Sequence, residues 1–240
     1  MKSEITTNSQ QPLYRLGGVA ALLVLLTALL EILITFLPGG YTTVETVVDW
    51  FTLLQNNWFM GLRNLGLLNI VLTALGIPVL FALYTAHRST ERTFAALAFI
   101  ISMIGTAVFY ATNRAFPMLD LSLRYAAAAT EMERAALVAA GQAMLSVGQS
   151  HTPGTFLAFF LLESAGVMMS LVMLHSGIFS KATAVAGLLG FGMLLLFEFI
   201  SSFVLGLGNV TMILAMLGGL STMVWYVLIA RRLFRLAEHE

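Results

Sequence analysis

The stretch Leu16–Leu37, LGGVAALLVLLTALLEILITFL, decides the fold. It runs for 22 residues with one charge, Glu31. A bilayer's hydrocarbon core is about 30 Å thick and needs about 20 apolar residues in a helix. The run is too long for a signal-peptide core of about 7–15 residues and lacks a small-residue cleavage site, so it reads as a retained first transmembrane helix. The polar segment Met1–Pro12 precedes it.

Five further segments meet the same length criterion: Leu62–Ala86, Thr93–Phe116, Gly154–His175, Ala182–Leu207 and Asn209–Ala230. The fold class is therefore all-α, a polytopic bundle of six transmembrane helices forming one transmembrane domain over residues 1–240. Punctuation supports the boundaries. Pro38-Gly39-Gly40 stops the first helix. Thr152-Pro153 offers a capping hydroxyl before a proline at the first helical position of the fourth. Gly206, Gly208 and Asn209 form a tight turn between the fifth and sixth. Pro78 falls inside the second and predicts a kink.

Two linkers predict short interfacial helices. Residues 44–60 hold Trp50, Phe51, Trp58 and Phe59 with few charges. Thr130-Glu131-Met132-Glu133 is a capping box that launches a helix over about 131–147, too polar to span.

Composition agrees. The 240 residues are 59% hydrophobic and 10% charged, with a mean hydropathy of +0.90, against about 25% charged residues in ordinary soluble domains. The net charge is zero, which gives no support for nucleic acid as a partner. No cysteine is present, so disulfides, thiolate metal sites and covalent haem attachment are out. No cofactor is expected. Metal-ligand spacing such as H-E-x-x-H is absent, although three carboxylates near His151 are of the right chemistry.

Lysine and arginine near the helix ends give orientation. Lys2, Arg15, Arg88, Arg92, Lys181, Arg231, Arg232 and Arg235 share the side of both termini; Arg63, Arg114, Arg124 and Arg134 face the other. Eight against four places both termini in the cytoplasm. The basic end Arg231-Arg232-Leu233-Phe234-Arg235 suits an anionic cytoplasmic leaflet, with Tyr84, Trp225 and Tyr226 as inner anchors and Trp50 and Trp58 as outer ones.

With that orientation, the intramembrane polar residues gather in the outer half. Glu31 lies near the outer end of the first helix. Arg63, Asn64 and Asn69 open the second; Tyr110, Asn113 and Arg114 close the third. Glu163 and Glu198 lie about nine residues from the outer surface, roughly 13 Å deep. Each charge at the bilayer centre costs about 2.5–3.5 kcal/mol even on lenient scales, so each needs a partner or water. Several stand on polar stripes: Glu198 with Ser201 and Ser202, Glu31 with Thr27 and Thr35, Tyr110 with Asn113 and Arg114. These nine residues are the candidate ligand-binding or ion-pair set. Structural pairing that fixes helix packing is the plain alternative. Gly166-x-x-x-Ser170, Ala186-x-x-x-Gly190 and Ala215-x-x-x-Gly219 are spacings for close helix contact.

The chain resembles a bacterial membrane family catalogued as domain of unknown function 4386, over most of Tyr14 to Ala230. Tyr14-Arg15-Leu16-Gly17-Gly18, Phe59-Met60-Gly61-Leu62-Arg63 and Leu83-Tyr84 carry the resemblance. So do Ser176-Gly177-Ile178-Phe179-Ser180-Lys181 and Ala186-Gly187-Leu188-Leu189-Gly190. The family usually has proline where Ser180 stands. The resemblance implies a compact multi-pass bundle in a bacterial cytoplasmic membrane, and it brings no catalytic residues.

Three functional expectations follow. The first is binding of a lipid, small molecule or partner subunit at an outward-opening polar pocket. The second is an intramembrane enzyme with Glu163 or Glu198 as general base. The third is an accessory or assembly subunit of a larger membrane complex.

Overall fold

The computed structural model describes residues 10–37 and 44–239. The Pro38-Gly39-Gly40 stop lies outside them. Ten helices appear among the described residues: α1 (Gln11–Phe36), α2 (Val47–Asn56), α3 (Trp58–Asn64), α4 (Leu67–His87), α5 (Arg92–Thr112), α6 (Ala115–Ala127), α7 (Glu131–Gly148), α8 (Phe156–Ser176), α9 (Lys181–Phe203) and α10 (Gly208–His239). No strand occurs among them. Six helical stretches are long and apolar enough to cross a membrane.

The spanning helices form a closed ring in chain order. α1 packs on α4, α4 on α5, α5 on α8, α8 on α9 and α9 on α10, and α10 returns to α1. Successive spans cross in alternate directions, so each neighbour in the ring runs antiparallel to the last. A shell of Leu22, Leu26, Leu29 and Leu33 on α1, and of similar residues on the other spans, faces outward. In water such a surface would be untenable; in lipid it is the expected one.

Helix-to-helix contact uses small residues, as the hydrocarbon solvent supplies no hydrophobic drive between helices. A Cβ on Gly187 of α9 would stand 2.6 Å from Trp225 Nε1 on α10. One on Gly190 would stand 2.7 Å from Thr222 Cγ2. On α8, a Cβ at Gly166 would lie 2.5 Å from Phe191 Cδ1. Two of the three small-residue spacings therefore mark true contacts. The third does not: Gly219 has nothing within 4 Å, and its neighbour Gly218 makes the approach to Leu194.

The remaining helices, α2, α3, α6 and α7, pack on one another as a cap at one end of the ring. They have their own core: Val47, Trp50, Phe51, Leu54, Leu62, Leu65, Ala115 and Met118. Each large apolar side chain so buried contributes about 1.5–3 kcal/mol. Trp50 is thus a core residue rather than the interfacial anchor its sequence context suggests, whereas Trp58 is 59% exposed. At the other end Trp225 is fully buried, also not an anchor.

Several boundaries differ from the sequence reading, each for a local reason. The 44–60 segment divides into α2 and α3 at Asn57, whose Oδ1 accepts from Met60 N and caps α3. The second span starts at Leu67 rather than Leu62, because Gly66 adopts φ +91° and breaks the helix. The third ends at Thr112 rather than Phe116, since Asn113 is extended (ψ 130°). Its 21 residues cover about 31 Å, one hydrocarbon thickness; α6, unforeseen from the sequence, follows. The fourth begins at Phe156 with Thr155 before it, so Thr152-Pro153 lies in the preceding turn and not at the cap. The fifth ends at Phe203. The sixth runs to His239, about 48 Å, since charge ends a hydrophobic span without ending a helix. Arg232 Nε donates to Ile178 O at 2.8 Å on the way. Pro78 lies within a helix that continues on both sides of it.

The capping box at Thr130 forms as expected: Thr130 Oγ1 accepts from Glu133 N, and Glu133 Oε2 accepts from Thr130 N, each at 3.2 Å. An equivalent box, Thr46 with Asp49, starts α2.

Candidate functional site

Where the cap meets the ring, a cleft of about 520 Å³ opens. Its lining includes Glu31 and Thr35 of α1, Arg63 and Asn64 of α3, Asn69 of α4, and Gln149, Ser150 and His151 of the connection into α8.

Arg63 dominates one wall. The side chain is 5% exposed and forms a two-pronged ion pair with Glu31, Nη2–Oε1 at 2.6 Å and Nε–Oε2 at 3.2 Å. It also donates to the Glu31 carbonyl at 3.2 Å, to Asn64 Oδ1 at 3.1 Å and to Thr35 Oγ1. Fork geometry of this kind is what a guanidinium offers a carboxylate and an ammonium does not. The helix breaks at Leu65–Gly66, so Arg63 belongs to the cap and not to the second span, and the pair ties cap to ring.

The opposite wall is a pair that local sequence does not announce. His151 Nδ1 lies 2.6 Å from Glu198 Oε2. Glu198 is 1% exposed, and Ser202 Oγ lies 3.4 Å from its other oxygen. His151 takes φ +59°, a left-handed conformation rare outside glycine. Its ring is sandwiched by Phe159 (centroids 4.7 Å apart) and Phe197 (4.8 Å). Read along the chain, His151 is a polar residue at a helix end; only the fold brings it to a glutamate 47 positions away. The sequence placed His151 near three carboxylates, and Glu198 needed a partner; which carboxylate it meets came only from the fold.

Glu163 lies deeper. Its Oε2 is sealed and has no hydrogen-bond partner, although the residue as a whole is only half-buried.

Other members of the candidate set separate from the cleft. Asn113 is a structural clasp: Nδ2 donates to Leu65 O at 3.0 Å and Oδ1 accepts from Ala115 N at 3.1 Å. It thereby joins the two breaks that let the cap fold over the ring. Arg114 finds no acidic partner among the described residues; Nη1 donates to Ala111 O at 2.8 Å, closing the end of α5. Tyr110 is 41% exposed and donates to Ile70 O at 3.4 Å on α4. These three side chains stand on faces away from the cleft lining. Among the described residues no three His, Asp or Glu side chains converge as a metal site.

No family model, curated protein or solved structure matches the chain.

Proposed function

We propose that this chain is a multi-pass protein of a bacterial cytoplasmic membrane, with both termini cytoplasmic, that binds a polar small molecule or lipid headgroup in its outward-facing cleft. The resemblance to domain of unknown function 4386 belongs to the same proposal. One observation carries it: the Arg63–Glu31 ion pair and His151, itself hydrogen-bonded to the buried Glu198, border a single cavity. The volume they border is flanked by Asn64, Asn69 and Gln149, the few convergent polar groups that fix a ligand in a pocket.

Native mass spectrometry from mild detergent tests this. The full chain is expected to retain an adduct of headgroup or metabolite mass. Asn69→Leu and Gln149→Leu, which narrow the cleft without touching either pair, are expected to remove it. An adduct-free chain, or one unchanged in both variants, would reject the cleft as the binding site.

The His151–Glu198 pair supports a second reading, general-base chemistry in the cleft. A carboxylate that orients a histidine through Nδ1 leaves Nε2 as proton acceptor. The base would then be His151 and not Glu163 or Glu198. Turnover of a cleft-bound ester or amide that falls in His151→Gln tests it.

A further inference from the structure

A second cavity lies at the other end of the ring from the cleft. On α8, Ser164, Met168, Leu171 and His175 fall at i, i+4, i+7 and i+11 and so share one face. Leu171 is 42% exposed, so that face looks out of the bundle. It lines a groove of about 560 Å³ with the buried Val172, between Phe94 of α5 and Leu195 of α9. Glu91, just before α5, and His175, in the last turn of α8, form its polar end. That end lies on the side of Gln11 and His239, the start of α1 and the end of α10.

From His175 to Ser164 the groove runs about 16 Å along α8, half of a hydrocarbon core about 30 Å thick. It is thus one leaflet long, polar at the headgroup end and apolar toward the membrane centre. A partner helix would cross the full thickness, and membrane helices approach one another over Gly, Ala and Ser. Here the small residue, Ser164, stands only at the deep end, and the rest of the wall is Phe, Val, Met and Leu. An acyl chain suits such a wall.

The polar end has its own chemistry. His175 Nδ1 lies 2.8 Å from Leu171 O. A carbonyl only accepts, so Nδ1 carries the proton, and Nε2 of the neutral ring is left as an acceptor. The Glu91 carboxylate accepts too, and it forms no salt bridge among the described residues. Two acceptors together call for an N–H donor of positive charge. Arg88 and Arg92, both exposed and three and one residues from Glu91, offer guanidinium groups to a phosphate.

We infer that the groove holds one acyl chain of a phospholipid with an ammonium headgroup. The ammonium sits on Glu91 and His175, and the phosphate lies toward Arg88 and Arg92. The site is separate from the cleft and does not depend on what the cleft binds.

Native mass spectrometry of the full chain in mild detergent, with phosphatidylethanolamine or phosphatidylglycerol added, tests the assignment. One phosphatidylethanolamine is expected to stay bound in preference to phosphatidylglycerol. Leu171→Trp, which fills the groove from its exposed side, is expected to release it. Leu157→Trp, on the same helix but outside the groove, is expected to retain it, as are Asn69→Leu and Gln149→Leu. Glu91→Gln is expected to lower the headgroup preference about fivefold, the weight of one exposed ion pair. On the wild type, a phosphatidylethanolamine with a photoreactive acyl chain is expected to label α8 between residues 164 and 172. Retention that Leu171→Trp leaves unchanged, label spread evenly over the six spans, or a preference untouched by Glu91→Gln overturns the inference. So does a dimer that Leu171→Trp dissociates, since a second copy would then fill the groove. Lipid lost in Asn69→Leu or Gln149→Leu would move it to the cleft, rejecting the groove while supporting the cleft reading.

Discussion

Arg63 on the cap and Glu31 on the first membrane helix meet through two hydrogen bonds, 2.6 and 3.2 Å long, with the guanidinium nearly buried and the carboxylate 39% exposed. The asymmetry sets what each substitution does. Arg63→Leu leaves a half-wet carboxylate that water can serve, whereas Glu31→Leu takes the paired carboxylate from a buried guanidinium. Glu31→Leu is therefore expected to be the more damaging, by about 1.5–3 kcal/mol, the range for hydrogen bonds to charged groups. Thermal denaturation of the two variants in one detergent measures the order; an equal or reversed order would contradict the burial argument.

Gly66 is the hinge between cap and ring. Its φ is +91°, and an added Cβ would stand 3.2 Å from Ser150 Oγ and 3.3 Å from Asn113 Nδ2. Left-handed backbone costs a residue with Cβ about 1–2 kcal/mol, before any displacement of the clasp. Gly66→Ala is expected to lower the melting temperature and to loosen α2, α3 and α6, read as faster hydrogen exchange confined to the cap. Uniform exchange across all helices would show that the hinge is not local.

Packing between α9 and α10 makes a sharp comparison. Gly187→Leu must displace Trp225 and Ser170, while an added Cβ at Gly192 meets nothing within 4 Å, so Gly192→Leu starts into open space. Size-exclusion profiles after detergent extraction are expected to show aggregation for the first and a wild-type peak for the second. Similar peaks for both would mean that this interface tolerates expansion.

The caps give the cap domain a pH dependence. Asp49 sits below its ordinary 3.8 because the Thr46 hydroxyl and backbone N–H donate to it. Glu133 sits below its ordinary 4.5 because the Thr130 and Ala129 N–H groups do the same. A depressed value means that the stabilisation is complete above the ordinary value and is lost as pH falls through the depressed one. Fraying of the first turns of α2 and α7 is therefore expected only in acid. Glu133→Gln is expected to flatten the response of α7 and leave that of α2. Hydrogen exchange at several acidic pH values, corrected for intrinsic rates, reads both.

Orientation can be measured cleanly because the chain has no cysteine. Single cysteines at Trp58, exposed on the cap, and at Thr90, exposed between α4 and α5, lie at opposite ends of the ring. In intact cells an impermeant maleimide is expected to label position 58 and spare position 90. The opposite pattern would invert the topology and put the cleft in the cytoplasm.

Much of this molecule is local and so legible along the chain. Hydrocarbon sets a minimum apolar length, and Leu16–Leu37 or Phe156–Ser176 meets it whatever its neighbours do. The Thr130–Glu133 box closes within one turn. Depth along a helix is also a one-dimensional quantity, and it brought Glu31, Arg63, Glu163 and Glu198 toward one another before any contact was known. Azimuth is not. Which way a side chain points depends on how its helix is rotated against others, and that sent Tyr110 and Arg114 away from the cleft while His151 turned toward it. The break at Gly66 was likewise hidden, since one glycine among apolar residues acquires φ +91° only when Asn113, 47 positions on, clasps Leu65. Sequence determined that this chain crosses a membrane six times, because solvent polarity acts residue by residue. Tertiary structure alone chose which charges face one another, because that choice is made by packing between segments far apart in the chain.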